Sequence, residues 1–274
     1  MMMRYFALVL GLVGVLGDCR PPKLITREMW NAQPPREALE PQPRYDAITV
    51  HHAAGWNASS LADGKARVKS IQAFHQGPDR KWSDIGYHFL IDSVGDVFQG
   101  RAFYDDATGQ EDTLSTLEDH PHFVLGAHVG GHNTGNIGVC MLGCFDPLST
   151  TTARPCDDTL TRKSKAALAR LIAYLSVNYN ISSSKIRGHR DWRSTTTCPG
   201  QTIYEQLPRL REDIGNMTER DCAVPEPVQH LVPPKITISW RISAVGLVAL
   251  TVLTLLVSFA LRTLHSDHPQ QSTP

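Results

Sequence analysis

Two histidines and one cysteine are the residues best equipped for chemistry in this chain. His51 lies in the run Val50-His51-His52-Ala53-Ala54, His189 in Gly188-His189-Arg190-Asp191-Trp192, and Cys198 in Thr197-Cys198-Pro199-Gly200. Two imidazoles and one thiolate are three donors of the kind zinc accepts, and three is the number that leaves a fourth position open for water. Four protein ligands would make a structural site, whereas three allow hydrolysis. Each residue also has a plainer reading. His51 alone on a strand would be a hydrogen-bonded core histidine, and Cys198 alone in a secreted chain would be half of a disulfide.

The segments around these residues must bring them together. Residues 45–52 read as a strand. A period of two puts Ile48, Val50 and His52 on one face and Ala47, Thr49 and His51 on the other. The more apolar set should face the helices, which leaves His51 on the opposite side among small residues where a cleft can form. That favours His51 over His52 as a ligand. Residues 60–75 read as a helix with Val68, Ile71 and Phe74 inward. Residues 87–92 and 96–99 read as a hairpin turning at 93–95. The acidic stretch 105–121 reads as a surface loop, and 124–129 and 136–142 as strands around a glycine-rich turn. Residues 163–179 form a helix with Leu168, Leu171, Ile172 and Leu175 inward, 185–189 a short strand, and 201–214 a last helix bent at Pro208. Interleaved strands and helices predict an α/β fold, a central mixed β-sheet flanked by helices.

Both ends of the chain are more apolar than the middle. Residues 1–17 have the basic start, apolar run and small residues of a signal peptide. Residues 242–261 are 20 uncharged, largely apolar residues, long enough to cross a bilayer as one C-terminal transmembrane helix. Between them the expectation is a domain over 18–222 and a proline-rich stalk over 223–241, with a short tail over 262–274 after the span. This predicts a secreted, outward-facing domain tethered to the membrane. Lys plus Arg and Asp plus Glu balance at 27 each, so nothing in the charge favours a nucleic-acid partner.

There are six cysteines. If Cys198 binds metal, five remain, enough for two disulfides and one spare thiol. Cys144 with Cys156 and Cys19 with Cys222 are one possible pairing, but sequence does not fix connectivity. Three disulfides using all six cysteines would abolish the metal site. Asn57, Asn180 and Asn216 begin glycosylation sequons.

Seven stretches carry a family resemblance: ITREMWNAQPP (25–35), AITVHHAA (47–54), DIGYHFLID (84–92), VFQGR (97–101), GAHVGGHNTGNIGVCMLG (126–143), IRGHRDW (186–192) and TCPGQTIY (197–204). In type and order they resemble the type 2 N-acetylmuramoyl-L-alanine amidases, which include the peptidoglycan recognition proteins and the amidase-type phage lysozymes. The resemblance implies that His51, His189 and Cys198 hold a zinc ion (Zn2+). It implies that Tyr87 is catalytic, with Thr196 as a second polar group at the reacting centre. It places His128 at the substrate cleft, with Arg101 and Asn133 as further cleft candidates, and leaves His120, His122 and His132 as loop histidines. Asp191 is either a partner of His189 or an exposed loop acid. From His189 to Cys198 is nine positions, one more than animal members lead one to expect, so the correspondence at Thr196 is looser. The implied activity is hydrolysis of the lactyl-amide bond between N-acetylmuramic acid and L-alanine, with bacterial peptidoglycan or its muropeptides as partner. The alternative is a receptor of the same fold that senses peptidoglycan without cutting it. Such relatives typically lack a ligand, often the cysteine, and this chain keeps all three.

Overall fold

The computed structural model describes residues 20–55, 57–147, 149 and 155–217. The chain divides into a unit of residues 1–224 and a second of residues 225–274, and all described residues belong to the first. The expected signal segment, stalk, transmembrane span and tail lie outside the described residues, as do Cys19 and Cys222. Among the described residues no helix is long and apolar enough to cross a membrane.

The fold is a mixed sheet with helices on both faces. Its strands are β1 (Leu24–Ile25), β2 (Ala47–His52), β3 (Phe89–Ile91), β4 (Val97–Gln99), β8 (Asn136–Met141) and β9 (Ile186–Gly188), in the order β1-β4-β3-β8-β2-β9. Only the β3–β4 hairpin is antiparallel; the other pairings are parallel. The period of two then sorts the side chains. Ile48, Val50, Phe89, Ile91, Ile137 and Val139 enter one apolar cluster, together with Leu168, Leu171, Ile172 and Leu175 of helix α2 (Arg162–Asn178). Leu90, Phe98 and Cys140 point to the other face and meet Val68 and Ile71 of helix α1 (Leu61–Gln76). Burying each large aliphatic side chain contributes about 1.5–3 kcal/mol, so the two clusters clamp the sheet from both sides.

His51 shares the α1 face. It is opposite Cys140, Cys140 is opposite Leu90, and Leu90 is opposite Phe98, a single row crossing four strands. The apolar set of β2 does face helices, as expected. The opposite face is not bare, however, because α1 covers part of it.

Both long helices begin on a side-chain cap. Ser60 accepts from the Asp63 amide at 3.2 Å, and Thr161 from the Ser164 amide at 3.0 Å. The inward stripe of α1 is Gly64, Val68, Ile71, Gln72 and His75. Phe74, expected inward, is 44% exposed, because it lies a third of a turn off that stripe. The expected single helix over 201–214 is two, α3 (Gln201–Tyr204) and α4 (Leu207–Gly215), with Ile203, Leu207, Leu210 and Ile214 buried as expected. Pro208 lies in the first turn of α4, where it has no N–H to continue a helix from α3.

Two segments differ from the sequence reading. The stretch 105–121 is not an irregular loop. Parts of it enter a second sheet of β5 (Phe103–Asp105), β6 (Gln110–Asp112) and β7 (His122–Phe123), with a 3-10 turn at Leu117–Asp119 between β6 and β7. Strands of two or three residues are too short to display alternation. Residues 124–129 form no strand beyond a single bridge between Val124 and Pro41. Their amides pair instead with two separate segments, Leu125 with the Glu40 carbonyl and Ala127 with that of Gly86.

Gly64 is where α1 comes closest to the sheet. A Cβ there would lie 2.5 Å from Phe98 Cζ and 2.8 Å from Asp92 Oδ2. Alanine would gain about 1 kcal/mol in helix propensity, but overpacking of this kind costs about 1–3 kcal/mol. Gly64→Ala should therefore lower the urea midpoint of unfolding, whereas an exposed α1 site such as Lys69→Ala should leave it nearly unchanged. A stabilised Gly64→Ala would show that α1 can move off the sheet.

Candidate metal centre

The site forms where two parallel strands end together. Val50 of β2 is opposite Gly188 of β9, so the next residues, His51 and His189, emerge side by side with ring centroids 4.7 Å apart. His189 opens a 3-10 turn, His189–Asp191. Asp191 holds that turn: its carboxylate accepts from the Gly188 amide at 2.9 Å and from the Tyr204 hydroxyl at 2.6 Å. It thus braces the backbone beneath His189 and not the imidazole. The loop to Cys198 is fastened to the same turn. Arg190 donates from its amide to the Cys198 carbonyl at 2.8 Å and from Nε to that of Thr197 at 3.0 Å.

One donor atom from each of His51, His189 and Cys198 falls within 4.8 Å of the others. His51 Nδ1 is 3.6 Å from Cys198 Sγ. Cys198 is a free, buried thiol, as is Cys140, so a disulfide does not claim the sulfur the site needs. Cys144 and Cys156 are bonded to each other, as one of the sequence pairings had it. They and His52 form a second tight group, but its sulfurs are spent on one another and His52 Nδ1 accepts from the Phe145 amide at 3.2 Å. The first group has the donor chemistry that suits zinc. Its His189 also has a buried nitrogen, Nε2, with no hydrogen-bond partner among the described residues. The residues present fit a zinc ion.

The electrostatics agree with that fit. Burial, then the neighbouring rings of His128, His189 and His52, hold the His51 pKa well below its ordinary value. Burial, then Arg193, lowers that of His189. Both rings are therefore neutral at pH 7 with a lone pair to offer. Burial pushes the Cys198 thiol up to about 12, so the sulfur carries a proton until a cation displaces it.

A cavity of about 380 Å³ opens over these groups, lined also by Tyr87, Thr196, His75 and Arg80. The Tyr87 ring is 5.2 Å from that of His51. Burial, then the Cys140 and Cys198 sulfurs beside it, raises its pKa well above 10, so it is a neutral phenol and a hydrogen-bond donor. Thr196 Oγ1 accepts from the Cys198 amide at 3.2 Å, which leaves its hydroxyl proton free to donate. His51, His189, Cys198, Tyr87 and Thr196 are thus brought together.

The three cleft candidates do not line the cavity. His128 is buried behind His51, its Nδ1 3.0 Å from His51 Nε2. Arg101 is 8% exposed and donates from Nε to the Ile85 carbonyl at 2.7 Å. Asn133 accepts from the amides of His128 and Val129 at 2.9 and 2.8 Å, closing the loop that carries His128. His75 and Arg80 are among the lining residues that escaped the sequence reading. His75 lies on the buried stripe of α1, a signal that a strict stripe would have caught. Arg80 sits in the turn after α1, held over the Phe74 and Trp82 rings at 5.4 Å each, and no periodicity points to it.

Fold and site together define a class, α/β proteins with a two-histidine, one-cysteine centre at the ends of parallel strands. A family model described as N-acetylmuramoyl-L-alanine amidase matches residues 41–201. The chain belongs to this type 2 amidase family, which includes the peptidoglycan recognition proteins. It is 28% identical over 214 residues to peptidoglycan-recognition protein SD of Drosophila simulans, covering 76% of this chain and 97% of that one. It is 31% identical over 158 residues to peptidoglycan-recognition protein SC2 of the same species, covering 58% and 70%. Among solved structures, a mutant of Drosophila PGRP-LB in complex with tracheal cytotoxin aligns with a TM-score of 0.51 at 26% identity, covering 69% of this chain and 95% of that one.

Metal binding should show the thiol's proton. With both imidazoles already neutral, one cation displaces about one proton, from Cys198, and affinity should rise about tenfold per pH unit between roughly pH 7 and 9. Chelator competition at several pH values measures this slope. Cys198→Ser should bind far more weakly; full retention of zinc in that variant would show that another residue is the third ligand.

Proposed function

We propose that this chain is a zinc-dependent N-acetylmuramoyl-L-alanine amidase acting on peptidoglycan or its muropeptides. The observation that carries the reading is the meeting of three zinc-type donors within 4.8 Å, beside a neutral tyrosine, in a cavity. Zinc in such a place supplies Lewis acidity toward a carbonyl oxygen and lowers the pKa of water toward neutrality. His51, His189 and Cys198 would hold it. Tyr87 donates its phenol proton in a hydrogen bond to the oxygen that gains charge as the amide carbon becomes tetrahedral. Thr196 donates a second such bond while its oxygen keeps the Cys198 amide in place. Neither residue needs to ionise for this. The cavity lies in the size range of small-ligand sites, which suits one sugar-peptide junction.

The domain organisation read from the sequence completes the proposal: a signal peptide over 1–17, the amidase domain over 18–222, a stalk, and a single apolar span over 242–261 that holds the domain outside the cell. The family holds both amidases and recognition proteins. A complete donor set beside Tyr87 supports cutting over sensing alone.

The test is release of free stem peptide from muropeptides by the purified protein, with and without a chelator. Release should stop on chelation and return with zinc. Tyr87→Phe should reduce kcat by about 10²–10³ while zinc stays bound. Binding of muropeptide without any release, with zinc present, would instead make this chain a sensor.

A further inference from the structure

His128 is enclosed on every side. The glycines that flank it leave the room it needs: a Cβ on Gly138 would lie 2.6 Å from its Cδ2, and one on Gly126 would lie 2.7 Å away. Its two ring nitrogens meet different partners. Nδ1 is 3.0 Å from His51 Nε2, and Nε2 is 3.0 Å from the main-chain carbonyl of Asn136. That carbonyl is held in turn by Nε2 of buried Gln42 at 3.3 Å, whose Oε1 accepts from the Gly135 amide at 2.8 Å.

A carbonyl oxygen can only accept, so His128 Nε2 must carry the proton. A neutral ring protonated there has a bare Nδ1, which accepts from His51 Nε2–H. A neutral His51 protonated at Nε2 has its own lone pair at Nδ1, the atom that faces Cys198 Sγ. The opposite direction would need a doubly protonated His128. That would bury a charge with no carboxylate bonded to either ring among the described residues, a costly arrangement. The neighbouring His88 obeys the same logic: its Nε2 meets the Val124 carbonyl at 2.9 Å and its Nδ1 accepts from the Gly138 amide at 2.9 Å. With that amide taken, His51 Nε2 is the donor that meets His128 Nδ1 among the described residues.

We propose that His128 is a positioning residue: the Asn136 carbonyl fixes the proton on His128, and His128 fixes His51 in the tautomer whose Nδ1 lone pair is presented to a metal ion beside Cys198. The second half of this statement rests on the zinc reading above. The first half concerns the protein without metal. Carbonyl-anchored partners of this kind set both the orientation and the basicity of a ligating imidazole, and their loss typically costs 10–100-fold in metal affinity.

Histidine 1H–15N long-range correlation spectra of the metal-free protein test the tautomer directly, and chelator competition tests its consequence. Wild type should show His51 and His128 both protonated at Nε2. His128→Phe keeps a ring in the glycine slot but removes the acceptor. It should shift His51 toward the Nδ1–H form and weaken zinc binding about 10–100-fold. His128→Asn, with Oδ1 near the place of Nδ1, should restore the acceptor and bring affinity back to within a few-fold of wild type. Wild-type His51 protonated at Nδ1, or a folded His128→Phe protein that binds zinc as tightly as wild type, would overturn the proposal. Should His128→Phe fail to fold, the wild-type spectrum and His128→Asn still decide. The two readings fail separately. Zinc bound with His51 protonated at Nδ1 in the apo protein sinks the role of His128 alone. Nε2-protonated His51 with no zinc bound sinks the metal site alone.

Discussion

Parallel pairing of β2 with β9 is the constraint from which the site follows. Two parallel strands end at the same side of a sheet, so the residues just past their last hydrogen bonds emerge together. With Val50 set against Gly188, those residues are His51 and His189. A slip of one residue would turn His51 into the α2 cluster and Val50 toward the cavity. That slip is opposed by the burial of Ile48, Val50, Ile137 and Val139 on one face, each worth about 1.5–3 kcal/mol. The core therefore holds the register, and the register holds the pair of rings. Cys198 arrives by a different route, over a loop tied back by Arg190 to the turn that carries His189.

Much of this was legible because it follows from period. Alternation in β2 separated His51 from His52, the α2 stripe was visible at helical spacing, and the β3–β4 hairpin announced itself by its turn. The small second sheet was not legible, since strands of two or three residues carry no pattern and the acidic residues among them read as loop. The break between α3 and α4 was half visible in Pro208. At the site, residue types drew attention to His51, His189 and Cys198, while Tyr87, Thr196, His128, Arg101 and Asn133 came from the family resemblance; the first five lie together at the cavity and the last three do not line it. A polar side chain near a cleft in sequence can point into it or behind it, and here tertiary hydrogen bonds tie these three to Asn136, Ile85 and the 128–129 amides. Arg80 lies in a turn, where no repeat exists to read.

Burial governs the chemistry of the cluster as much as position does. A carboxylate beside each ring would favour its charged form, but here burial outweighs the neighbouring charges. Desolvation disfavours the charged form of each, so the imidazoles are neutral and the thiol protonated. Neutral groups pack together without repulsion, which lets three donors sit within 4.8 Å of one another. The same desolvation keeps Tyr87 a donor and not an anion.

A preformed site of this kind must satisfy its polar atoms in some other way, since a buried group without a partner costs about 1–3 kcal/mol. His51 and His128 do so through the line of hydrogen bonds that ends on the Asn136 carbonyl, and Cys198 Sγ accepts from the His52 amide at 3.4 Å. Among the described residues one buried imidazole nitrogen is left over, Nε2 of His189. His189 is also the donor set on a short turn and not on a strand, braced from below by Asp191. Of the three donors, the sheet holds His51, while His189 and Cys198 sit on a turn and a loop that Arg190 fastens to one another, so strand register and that tie together set the cluster.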